Sequence, residues 1–219
     1  MVSILNKAGY YWIAFKGRLT VRRDREPIDS VARLQEFVAT RSVFVAQKTL
    51  YSYVKTRMGI RYPAMFEDAN VIASVNIAKM HFFAACLSDM TVYAVAHALY
   101  DYPVGNEERQ ELALWIFRAG LRENVDEAPL EFSAQDAIDA FERRLAETDW
   151  RNGAREPESF TESPRALFRW APIADRLKEF DGEIVENSVK FTWREIREHY
   201  RRRLDAGAVF TDWSRQESV

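Results

Sequence analysis

The chain has 219 residues, 47% of them hydrophobic and 13% aromatic, enough apolar material for a sizeable core and too much for a disordered chain. Eight glycines and seven prolines leave few tight turns, which favours helices over a many-stranded sheet. The single cysteine, Cys86, excludes an internal disulfide and fits a reducing compartment, while the net charge of -2 hides a basic start (six Lys and Arg against one acid over residues 1–25) and an acidic middle (eleven against twenty over residues 105–186).

The first piece, roughly Ser3 to Arg22, places Ile4, Ala8, Tyr11, Trp12, Phe15 and Leu19 on one face, the spacing of an amphipathic helix. From Ile28 to Met58 the series Val31, Leu34, Val38 and Val45 continues without a breaker until Gly59 and Pro63. The run from Ala64 to Tyr100 is apolar on most of its circumference and is expected to be the central helix, joined to the preceding one as an antiparallel hairpin. Lys79 and Asp89 interrupt it, which argues against a membrane span.

Asn106, followed by Glu107 and Glu108, reads as a cap ahead of the stripe Leu112, Trp115, Ile116 and Ala119. Ser133 and Asp136 form a second capping signal before Ala134, Ala137, Ile138, Phe141 and Leu145. Residues 148–163 are polar and without period, which predicts the longest loop and the place where mobility and cleavage concentrate. Ser163 and Pro164 open a short helix that Pro172 stops, and Glu183–Leu204 carries Val185, Val189, Trp193, Ile196, Tyr200 and Leu204 in one stripe. The expected fold is all-α: a single helical bundle of about six to seven helices around a hairpin of about 28–58 and 64–100. A basic aromatic amphipathic helix (1–25) precedes the bundle domain (26–207), and a C-terminal tail (208–219) follows it.

The three histidines, His81, His97 and His199, offer neither an i, i+4 pair nor a Glu-x-x-His spacing, so no metal and no cofactor is expected. The glycines never cluster, which argues against a phosphate loop or a nucleophile elbow, and Cys86 is read as packing. Arg201, Arg202 and Arg203 are diluted by Glu195, Glu198 and Asp205, a solvated helix face rather than a nucleic-acid surface. The tryptophans of the second half, Trp115, Trp150, Trp170, Trp193 and Trp213, are read as core anchors.

Two constellations remain. Asp68, Lys79, Cys86 and His97 project within about 40° of each other on the central helix, with Arg41 and Lys48 near the apolar stripe of the preceding one. They suggest an inter-helical pocket with Lys79 as an anion anchor, against which stands a plain ion pair with a surface-reaching tip. At the N-terminus, Tyr11, Trp12 and Phe15 adjoin Arg18, Arg22, Arg23 and Arg25, the pattern of a helix lying on an anionic membrane surface or packing on the core. The leading expectation is a non-catalytic protein-interaction module, an adaptor or assembly factor. It would have a protein partner, be cytoplasmic, and dock peripherally on the inner face of a membrane or on a membrane complex. The alternative is a small-molecule-binding or catalytic bundle with its pocket around Lys79, His97 and Arg41.

Overall fold

Ser30 opens the first described helix: its extended backbone lets the hydroxyl accept from the Arg33 amide at 3.3 Å, and Val31–Met58 (α1) follows. Gly59, at φ 53°, closes α1 by donating its N–H to the Lys55 carbonyl, in a left-handed backbone that only glycine adopts without strain. The computed structural model describes residues 25–126, 128–151 and 153–216. Of the N-terminal segment expected to form a helix, Tyr11, Trp12, Phe15, Arg18, Arg22 and Arg23 lie outside the described residues, and Arg25 is exposed.

A 3-10 stretch, Gly59–Glu67, takes the place of the short connection and the first turn expected from residue 64, and Pro63 lies inside it. The second long helix, Ala69–Ala98 (α2), starts late because the Asp68 carboxylate caps it, accepting from the amides of Asn70 at 2.8 Å and Val71 at 3.4 Å. Length and composition alone would let α2 cross a membrane. In this fold its apolar residues meet other helices, and all but one of the residues from Phe82 to Ala96 are buried.

The remaining helices are Asn106–Arg122 (α3), Ala134–Glu147 (α4), Glu162–Trp170 (α5), Asp175–Lys178 (α6), Gly182–Arg203 (α7) and Ala206–Gln216 (α8). The fold is all-α, and among the described residues the one β-type pairing is an isolated bridge between Ile28 and Leu204. α2 is the hub, packing against α1, α3, α4, α5 and α8. α7 lies antiparallel along α1: the Tyr53 hydroxyl donates to Asp181 at one end, and at the other the Ile28 amide donates to the Arg203 carbonyl.

Close packing explains Gly120. A Cβ there would stand 2.9 Å from Leu87 Cδ1 and 3.6 Å from Ala39 Cβ, so glycine brings α3 against both long helices. The segment 148–163 differs from the expected mobile loop: Trp150, Ala154 and Phe160 are buried, and short 3-10 turns at Gly153–Arg155 and Pro157–Ser159 strap it to the core. Its polarity by count concealed these three anchors. The segment taken as a tail from residue 208 belongs to α8, whose Asp212 carboxylate accepts from the Val31 amide at 2.8 Å and whose Val209 is fully buried. Trp150 and Trp193 are core residues as expected, whereas Trp115 is 44% exposed.

Candidate functional site

The charged residues singled out on the central helices separate once folded. Asp68 stands at the N-cap of α2 and is spent on the helix amides. Lys79 is half-buried, and it lies about 27 Å from His97 at 1.5 Å per residue, too far for both to line one small pocket. Lys48 is exposed and sits 5.7 Å from the Phe44 ring, whereas Arg41 is buried, lying over the Phe37 ring and approaching His199 Nδ1 at 3.4 Å. Arg41 and His97 flank one aromatic cluster: Phe37 meets Tyr200 at 5.5 Å, and Tyr200 meets the His97 ring at 6.3 Å. Lys48, Lys79 and Asp68 are not part of it.

The most deeply buried charge is Asp89, fully enclosed in α2. Its carboxylate pairs with Arg144 from α4 at 2.8 Å and accepts from the amides of Glu162 and Ser163 and from the Ser163 hydroxyl. Asp89 therefore caps α5 from another helix, in the role that the Ser163–Pro164 pair was expected to play. Trp193 on α7 donates its indole N–H to the same Ser163 hydroxyl at 3.0 Å. Burial raises the Asp89 carboxyl above the usual carboxylate range, while Arg144 and the Ser163 donors pull it back. Arg144 is also committed to the Ser88 hydroxyl and the Ser159 carbonyl, so the group is closed on itself. Beside it, a cleft of about 440 Å³ between α2, α4 and α5 is lined by Ala84, Ala137 and Ala140, by the stacked His81 and Trp170 rings, and by charges of both signs.

α7 presents a different surface. Its inner face buries Val185, Val189, Trp193, Ile196 and Tyr200. Its outer face leaves Ile184 at 64% and Phe191 at 73% exposure, and Phe180, directly ahead of the helix cap, at 85%. Ile184, Asn187 and Phe191 recur at steps of three and four, so they form one seam, diametrically opposite the buried one. Exposed Glu179, Glu183 and Glu186 flank the N-terminal half of this seam. Lys190, Arg194 and Arg202 flank the C-terminal half, against Glu195 and Glu198. The outer seam was visible in the sequence at the same spacing, but the stronger inner stripe absorbed the periodic signal.

No family model matches the chain, and no curated protein or solved structure is significantly similar to it.

Proposed function

We propose that the protein is a non-catalytic interaction module, an adaptor or assembly factor, that pairs with a second copy of itself through the outer seam of α7. The exposed apolar seam carries the reading: Ile184 and Phe191 on the helix, with Phe180 in the turn ahead of it, are costly in solvent and favourable against a matching surface. The charges choose the partner. An antiparallel second α7 sets the acidic half, Glu179, Glu183 and Glu186, beside the basic half, Lys190 and Arg194, while a parallel one sets like against like. Asn187 then sits at the two-fold, where a polar residue in an apolar seam fixes register.

On its sequence, the basic aromatic segment 1–25 adds a peripheral contact to an anionic membrane surface on the cytoplasmic side. Crossed cysteines test the pairing. In an antiparallel dimer Ile184 faces Phe191 of the other copy, so a mixture of Ile184→Cys and Phe191→Cys chains forms the mixed disulfide faster than either chain alone. Equal rates in all three samples rule out the antiparallel pairing. Cys86 is buried and does not compete.

A further inference from the structure

Away from the outer seam, on the flank of α7, three cations gather and outnumber the acids beside them. Arg155 comes from the 3-10 turn Gly153–Arg155, and Arg197 and Arg201 lie one turn apart on α7. The charges of all three act on Tyr93 and His97 of α2. The Arg155 guanidinium lies 3.4 Å over the Tyr100 ring and that of Arg197 lies 5.2 Å from the Phe160 ring, so aromatic faces hold both in place. Tyr93 is 1% exposed, its ring 4.4 Å from that of His97 and 5.3 Å from that of Phe160.

Within this cluster, three polar atoms are buried with no partner among the described residues: the Tyr93 hydroxyl, His97 Nε2 and Arg155 Nε. Arg201 approaches the Tyr93 hydroxyl but does not complete a hydrogen bond of normal geometry. The Arg155 backbone lies beside the His97 ring, whose Nε2 has no partner among the described residues. Two carboxylates lie within the field of Arg197, Glu158 and Glu198, but Glu198 pairs with Arg194. None of the three arginines forms an ion pair among the described residues. Buried polar atoms are normally satisfied, and several orphans under convergent cations mark a place for a ligand.

We infer that Arg155, Arg197, Arg201, Tyr93 and His97 form a binding site for a phosphate group. Guanidinium forks arriving from two elements, joined by a hydroxyl donor, suit a tetrahedral dianion better than a planar carboxylate, which one fork satisfies. His97 adds selectivity. Burial first, and then the neighbouring arginines, lower its pKa to about 4, so the ring is neutral near pH 7. Its Nε2 then accepts a hydrogen bond from the P–OH of a monoprotonated phosphate, which sulfate does not offer.

The test is a thermal-shift and calorimetric titration of the full chain with inorganic phosphate, sulfate, adenosine monophosphate and vesicles containing phosphatidic acid. Inorganic phosphate is expected to raise the melting temperature and to bind more tightly than sulfate. Arg197→Ala combined with Arg201→Ala, and separately Tyr93→Phe, which keeps the ring packing, should each weaken phosphate binding by about tenfold or more, while Arg165→Ala should not. Tighter binding of the nucleotide assigns the phosphate to a soluble metabolite, and co-sedimentation with the vesicles assigns it to a lipid headgroup. Absence of any phosphate-induced shift, or a shift unchanged in both Tyr93→Phe and the arginine double variant, overturns the assignment.

Discussion

The two faces of α7 follow opposite rules. Inward, each polar group on the seam has a partner: the Trp193 indole donates to Ser163, and the Tyr200 hydroxyl donates to the Ala94 carbonyl at 2.7 Å. Outward, Ile184 and Phe191 stand in solvent, and on the flank Arg197 and Arg201 lie near buried polar atoms that have no partner among the described residues. The same helix therefore separates what holds the fold from what is left for something else. A closed network such as that of Asp89 explains itself through packing, whereas exposed apolar side chains and orphaned polar atoms call for a partner.

The inner face should respond to mutation with stability. Trp193→Ala removes the largest buried side chain of the seam and the hydrogen bond to Ser163, an expected loss of about 3–5 kcal/mol in chemical denaturation. Arg144→Met leaves the Asp89 carboxylate buried without its cation and should cost a comparable amount, about 3–5 kcal/mol. Retention of full stability by either variant would erase the distinction between the two faces. Gly120→Ala, which places a methyl group against Leu87, should be milder, at about 1–3 kcal/mol, read as a lower midpoint in urea.

Acidity sharpens the contrast through His97. Its folded pKa, near 4, lies below the ordinary histidine value of 6.5, so the unfolded chain binds the extra proton first as the pH falls. The stability this group contributes is complete above about pH 6.5 and declines toward pH 4, and a His97→Gln variant should show a flatter stability profile across that window. Bound phosphate should also flatten it, because the anion offsets the arginine field. The smallest effect belongs to the outer face: at concentrations too low for pairing, Phe191→Glu should leave unfolding free energy within about 0.5 kcal/mol of the parent, because the ring is mostly in solvent in the single chain.

The architecture was legible because apolar periodicity is a local signal. Val31 to Val45 and Val185 to Tyr200 announced their helices, and Ser133 capped α4 where its sequence indicated, accepting from the Asp136 amide at 3.1 Å. What depended on distant residues was not legible. The cap of α5 comes from Asp89, 73 positions away from the amide of Glu162, and the anchoring of residues 148–163 depends on where three apolar side chains land. The candidate site shows the same limit. His97 was singled out from its helix face, but its arginine neighbours arrive from a 3-10 turn and from α7, and Lys79 shares a face with it while standing five turns away along the axis.

Sedimentation equilibrium of the full chain, parent against Phe191→Glu, addresses the pairing through α7 most directly. A concentration-dependent dimer for the parent and a folded monomer for Phe191→Glu is the result expected. A parent that remains monomeric, or a variant that dimerises as strongly, would show that the exposed seam of α7 does not join two copies.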